Sequence, residues 1–325
     1  MEKFDISVIV PVYNAEKTIR KCLNSLIAQK NVRLEIICIN DGSKDNTLNI
    51  LEKYECDYDN IVVVSQQNKG VSKTRNLGID MAKGNYIMFV DADDFLKEDS
   101  LCTIDLSEQL DLYKFGYAYS DKNVYQENAF ENKKILIDKN NYQKVFVDVM
   151  NNINENMVWA QLYKREILED IRFDTNIFYA EDILFNSYVL RKIKTLQYID
   201  SIIYFYERQD SSVTNNFTYE IVKNKVLNIC TIFETIIKEN PDVKKDLEIK
   251  SIREALPQII MMNETKYNFV EESEYLQQVF KDIKPSDISE VRYKIGYSLL
   301  TKKHYKLFRI YNKFYMFLKK LKNSK

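Results

Sequence analysis

The first 95 residues predict an α/β fold with a parallel sheet, and three observations carry that prediction. Short apolar runs alternate with segments of helical periodicity, and each run ends in polar residues. One run, Tyr86-Ile87-Met88-Phe89-Val90 within GNYIMFVDADD (Gly84–Asp94), is apolar throughout, as a strand covered on both faces must be. Strands and helices alternating at this spacing give βαβ units with helices on both faces of the sheet.

In chain order, Ile6 to Val10 is a first buried strand, broken by Pro11. Thr18 to Ala28 has helical spacing through Ile19, Cys22, Leu23 and Leu26. Leu34 to Ile39 is the second strand and ends in Asn40-Asp41-Gly42-Ser43; Asp45 then caps a helix that includes Leu48 and Leu51. Ile61 to Val64 is the third strand, and Gly70 to Lys83 a helix with Val71, Leu77 and Met81 expected inward. The fourth strand runs into Asp91-Ala92-Asp93-Asp94. Residues 105–157, rich in Tyr, Asn and Lys, yield only a helix around Val145, Phe146 and Val149. Met157 to Ile167 holds Trp159, the sole tryptophan. Glu181-Asp182 then precede an apolar helix (Ile183, Leu184, Phe185, Tyr188, Val189), and Ile202 to Tyr206 reads as another strand. Beyond Thr214 the chain reads as helical; Tyr219 to Lys238 is amphipathic and stops before Pro241.

Composition bounds the function. With 325 residues, 45% hydrophobic and 29% charged, the chain is an ordered protein of one large or two modest domains. Five cysteines lack paired spacing and no secretory leader is read, so a reducing cytoplasm is expected. No apolar run is long enough to span a bilayer. The only histidine is His304, which excludes a histidine base, a Ser-His-Asp triad or a zinc–histidine site in the N-terminal half. Proton transfer there falls to carboxylates. There is no GxGxxG after the first strand and no GxxxxGK[ST], which disfavours dinucleotide oxidoreductases and P-loop hydrolases.

Tyr13-Asn14, Asn40-Asp41, Gln66-Gln67-Asn68 and Asp91/Asp93 all lie at strand C-termini, the edge where open α/β sheets bind ligands. In an extended segment, alternation puts Asp91 and Asp93 on one side, able to share a cation. Oxygen-only ligands suit Mg²⁺ or Mn²⁺. The same residues also read as a solvated acidic turn. From Val291 onward there is no acidic residue, and basic and aromatic side chains interleave, as in a helix lying on an anionic leaflet; a basic helix packed on its domain is the other reading. The acidic edge would repel nucleic acid, so no nucleic-acid partner is expected. A homodimer is left open.

These residues resemble family 2 glycosyltransferases of the GT-A fold, the bacterial polysaccharide type. The resemblance is carried by SVIVPVYNAEKTIRKCLNSLIAQ (Ser7–Gln29), EIICINDGSKDNT (Glu35–Thr47), NKGVSKTRNLGID (Asn68–Asp80), GNYIMFVDADD, the acids around Asp182 and YERQDSSVT (Tyr206–Thr214), and covers roughly residues 5–215. It implies a Rossmann-like mixed sheet with helices on both faces, with a C-terminal helical region. The expected division is a catalytic domain over 1–215 (a nucleotide-binding half, 1–95, and an acceptor half, 96–215) and a helical region over 216–325. The implied reaction is inverting transfer from a UDP-sugar to an acceptor hydroxyl. Pro11 and Tyr13 would flank the base, Asp41 would accept the uracil N3–H, and Lys69 and Arg75 would approach the diphosphate. Asp91 would hold the ribose or the ion, Asp93 the divalent metal, and Arg208 would assist the leaving group. Asp182 would be the base, with Glu181 tuning it rather than facing the same hydroxyl, and Trp159 would be an acceptor platform. Asn40 departs from the aspartate often found before Asp41. Glu181 and Asp182 also fit plain first-turn acids. Processive synthases carry QxxRW and transmembrane helices, and neither is read here. A nucleotidyltransferase, which would want a Gly-rich basic N-terminal loop, and a non-catalytic UDP- or membrane-binding scaffold are the competing classes.

Overall fold

The computed structural model describes residues 4–121, 124–152, 156–207, 218–261, 274–308, 310–311 and 313–314. Two compact units divide the chain. One comprises Met1–Phe146, Asn152–Ile177 and Glu181–Asp210, and the other Val147–Asn151, Phe178–Ala180 and Ser211–Lys325.

The first unit is built on four parallel strands: β1 (Ile6–Val12), β2 (Leu34–Asp41), β3 (Ile61–Gln66) and β4 (Tyr86–Phe89), in the order β3-β2-β1-β4. Ile6 pairs with Leu34 on one side and with Tyr86 on the other, so all strands end along one edge. Every residue of β2 is buried, which fits its apolar stretch Ile36-Ile37-Cys38-Ile39. Three helices connect these strands: α1 (Ile19–Ile27), α2 (Thr47–Asp57) and α3 (Val71–Met81). Val8, Val10, Ile36, Met88, Cys22 and Leu23 share one core. Each such side chain contributes roughly 1.5–3 kcal/mol on full burial.

The inward face of α3 differs from the expectation. Val71 is exposed and Leu77 and Met81 are only half-buried, whereas Ser72, Thr74, Arg75, Gly78 and Ile79 face in. The cause is Gly78: a Cβ there would lie 2.3 Å from Cγ2 of Ile9, so only the bare backbone fits against β1. Close approach, not apolar spacing, sets the helix's rotation and turns Arg75 inward.

The sheet continues through a stretch that sequence periodicity leaves nearly blank. A short strand β5 (Phe95–Leu96) is followed by β6 (Leu112–Asp121), β7 (Val124–Asn128), β8 (Lys133–Leu136), helix α4 (Tyr142–Asn151) and β9 (Gln161–Lys164). Then come α5 (Glu181–Lys192) and β10 (Thr195–Tyr206). β9 lies antiparallel between β4 and β6, while β6 and β10 are parallel. The result is a mixed ten-stranded sheet.

In the second unit, α6 (Tyr219–Glu239) starts at Thr218, whose hydroxyl accepts the Ile221 amide, and packs on α7 (Lys244–Met261). α8 (Glu274–Asp282) and α9 (Val291–Thr301) complete it. Its core includes Val226, Phe233, Leu247, Leu256, Tyr297 and Phe308. Among the described residues no helix is long and apolar enough to cross a membrane.

Candidate active site

The strand C-termini converge on a polar rim whose loops are tied to each other. After β1, the Asn14 amide donates to Ser43 Oγ (2.9 Å), and Asn14 Oδ1 accepts the Lys44 amide (2.7 Å). Asp45 accepts the amides of Glu16 and Thr47 at the start of α2. Tyr13 stands on this rim, 52% exposed, beside a half-buried Pro11.

Asp41, at the end of β2, is buried and organises the loop between β3 and α3. Its Oδ1 accepts from Gln66 Nε2 (2.9 Å) and the Lys69 amide (2.8 Å), and its Oδ2 from the Gly70 amide (2.8 Å). Lys69 thus meets Asp41 through its backbone, while its side chain is exposed. Asn40 donates to Ser65 Oγ (2.9 Å) and accepts the Ser43 amide (3.1 Å), linking the loop after β2 to the end of β3.

Arg75 is the centre of the site. Its guanidinium is buried and meets Asp91 (3.1 Å), Glu181 (3.0 Å) and Asp182 (3.2 Å). Residues from α3, from the end of β4 and from the start of α5 therefore converge on one cation. Burial alone would ease proton loss from Arg75, but the three carboxylates outweigh it and hold the group firmly charged. Its Nε is buried with no hydrogen-bond partner among the described residues. Asp182 also accepts the Val158 amide through Oδ2 (3.3 Å). Burial raises its carboxyl to about 7, against the pull of Arg75 and with help from Glu181 and Asp91. Glu181 and Asp182 both accept from the same Nη1 of Arg75.

The segment Asp91–Asp94 is a turn, not an extension of the strand. The Asp94 amide donates to the Asp91 carbonyl (3.0 Å), so strict alternation of Asp91 and Asp93 does not apply. Burial, then the Asp91 charge, raises Asp93 to about 6. The turn is pinned by two residues that sequence reasoning missed. The Tyr204 hydroxyl donates to Asp94 Oδ2 (2.6 Å) and accepts the Asp91 amide (3.2 Å), and Asp94 Oδ1 accepts the Glu207 amide (2.9 Å). The third acid of DADD and the tyrosine three residues ahead of Glu207 were the available signals.

Trp159 is not an open platform. It is 8% exposed, stacked on Tyr204 (centroids 4.8 Å apart) and Tyr206 (5.9 Å), with Tyr117 edge-on. It backs the tyrosine that holds the acidic turn. Arg208 lies outside the described residues.

Three carboxylates surround one guanidinium, with Asp93 beside them, so the cluster carries uncompensated negative charge that suits a cation. No group of three or more His, Cys, Asp or Glu among the described residues forms a ready metal cage. A cation here would have to complete its shell from substrate and water, as magnesium commonly does.

A mixed sheet with an acidic turn beyond its fourth parallel strand defines a nucleotide-sugar transferase fold of the GT-A class. The family profile described as glycosyl transferase family 2 matches residues 7–172, and the chain belongs to that family. It is 33% identical over 220 residues to the uncharacterized glycosyltransferase EpsJ of Bacillus subtilis, covering 64% of this chain and 62% of that protein. It is 32% identical over 214 residues to the poly(ribitol-phosphate) beta-glucosyltransferase of Bacillus spizizenii, covering 62% of this chain and 32% of that protein. The chain thus spans less than two thirds of the length of these relatives. Among solved structures, S. aureus TarS 1–349 in complex with UDP-GlcNAc superposes with TM-score 0.70 at 19% identity, over 96% of this chain and 91% of that one. The mannosyltransferase PcManGT from Pyrobaculum calidifontis, in complex with GDP-Man and Mn²⁺, gives TM-score 0.55 at 14% identity, over 97% and 84%. These likenesses show the fold.

Proposed function

We propose that this chain is an inverting, non-processive glycosyltransferase that moves a sugar from a UDP-sugar to an acceptor hydroxyl, in assembly of a bacterial surface glycan on a lipid-linked saccharide at the cytoplasmic side of the membrane. The observation that carries this reading is the shared guanidinium of Arg75, which brings the proposed base Asp182 and the β4 acid Asp91 into one cluster. The donor assignment is supported by TarS, whose structure holds UDP-GlcNAc in a similar fold.

In this reading Tyr13 stacks on the base and the free lone pair of Asp41 Oδ2 accepts the uracil N3–H. Asp182 takes the acceptor hydroxyl proton on the face of the sugar opposite the departing diphosphate. Its hydrogen bond from Val158 and its ion pair with Arg75 fix its orientation. Arg75 favours the ionised form of Asp182 and offsets part of the cost of burial. Lys69 and Arg208 supply positive charge toward the diphosphate. Mn²⁺ or Mg²⁺ would be held by Asp93 with Asp91, and when bound it supplies charge that stabilises the leaving diphosphate. In this reading the nucleotide lies on residues 1–95 and the acceptor on 96–215.

The test is a panel of UDP-sugars assayed for manganese-dependent UDP release, with Asp93→Ala alongside. Release by the native chain and loss of the metal response in Asp93→Ala are expected. UDP binding without release from any donor would favour a non-catalytic scaffold, and pyrophosphate release a nucleotidyltransferase.

A further inference from the structure

The sequence after α9 folds back into a short helical stretch, with residues 305–308, 310–311 and 313–314 in helical conformation. One side of it is committed to the second unit's core: Phe308 is fully buried, and the Tyr311 hydroxyl donates to the Arg292 carbonyl (3.0 Å). That commitment fixes the rotation and turns three large apolar side chains outward. Leu307 is 54% exposed, Ile310 64% and Phe314 59%. They are spaced three and four apart, so at about 100° per residue they form one stripe. Lys306 and Lys313, both exposed, run along one edge of it. On α9, Val291 and Ile295 are exposed as well.

Scattered exposed apolar residues need no explanation, but an aligned set beside lysines does. The charge of the chain decides what covers it. Residues 291–325 hold 11 of the 47 bases and no acid, whereas residues 1–290 hold all 48 acids. A net charge of -1 therefore conceals a strongly basic end on an acidic body. A partner must be anionic and must also offer hydrocarbon depth for Leu307, Ile310 and Phe314. Nucleic acid satisfies the first condition and not the second. A bilayer bearing acidic headgroups satisfies both.

We propose that the stripe Leu307–Ile310–Phe314, with Lys306 and Lys313, docks this protein onto the anionic leaflet of a membrane. The surface lies outside the carboxylate cluster, and the inference stands independently of the transferase reading.

The experiment is sedimentation of the full chain with vesicles of phosphatidylcholine alone and of phosphatidylcholine mixed with phosphatidylglycerol. Sedimentation with the mixed vesicles only, weakening as salt screens the lysines, is expected. Replacing Leu307, Ile310 and Phe314 together by Ser should lower vesicle affinity roughly tenfold or more, with an unchanged melting profile because all three are exposed. Lys306→Glu with Lys313→Glu should also weaken binding. Equal vesicle binding by native chain and triple variant would overturn the proposal. So would a dimer, seen by light scattering, that the triple variant dissolves without any vesicle binding, or RNA binding that the triple variant loses while vesicles are ignored. UDP release on a soluble acceptor, run in parallel, separates this outcome from failure of the transferase reading.

Discussion

As the proposed base, Asp182 lies where two demands oppose each other: it must be buried to meet an acceptor away from bulk water, yet ionised to accept a proton. Arg75 answers the second demand, and Glu181 and Asp91 work against it. Asp182→Asn retains the shape and the Val158 contact but cannot take a proton. Transfer should fall by about 10²–10⁴-fold while UDP affinity holds, measured by turnover and by titration calorimetry. Retained turnover would remove Asp182 from the role. The pH dependence follows in sign. A carboxylate raised to about 7 is increasingly protonated below that pH, so transfer should drop on the acid side through about pH 7. Glu181→Gln removes a charge that raises Asp182, and it leaves more of Arg75 for Asp182. The acid limb should therefore move to lower pH in a kcat/KM profile; an unmoved limb would assign it to another group.

At the scale of elements, β4 and the turn after it depend on backbone contacts that no apolar pattern encodes. A Cβ on Gly84 would sit 2.5 Å from the Ser7 amide nitrogen and 2.7 Å from the Ile6 carbonyl carbon. The Gly84 amide also donates to Ser7 Oγ (2.8 Å), which in turn donates to buried Glu35 (2.6 Å). Gly84→Ala must push β4 away from β1 where the pair begins. A cost of about 1–3 kcal/mol is expected, read as a fall in melting temperature, with UDP binding weakened as the turn shifts. An unchanged melting temperature would show that the strand end yields freely. The same kind of contact separates what the sequence revealed from what it hid. β1, β2 and β4 were legible because strands covered on both faces are largely apolar, and β3, half-buried, through its run Ile61–Val64. β6 was not: LYKFGYAYSD mixes tyrosines and a buried Lys114 into the middle of a sheet, so no period of two emerges. In the site, Asp41, Asp91 and Asp182 were legible as acids at strand and helix ends, and Arg75, inside α3, only through the family resemblance. The roles of Asp94, Tyr204 and Trp159 were not, because they depend on Tyr204 and Glu207, at the end of β10, meeting the turn that follows β4. Nor was the rotation of α3, which the absent side chain of Gly78 sets.

At the scale of the whole molecule, the basic end joins a core side chain and an exposed stripe that a truncation would confound. The stretch after α9 carries charge and exposed apolar side chains, but its Phe308 belongs to the second unit's core, within reach of Gly296 on α9. Cutting after Leu300 removes that ring together with the surface stripe, and losing a buried Phe costs about 3–5 kcal/mol. Cutting after Phe314 keeps both and removes only residues 315–325, with their lysines 319, 320, 322 and 325. Scanning calorimetry should therefore show a melting temperature lowered by several degrees for the first truncation and little change for the second. Phe308→Ala in the full-length chain should reproduce the first result while leaving the charge intact. If both truncations melt like the native chain, Phe308 contributes nothing to the core, and the rotation that presents Leu307, Ile310 and Phe314 outward loses its anchor.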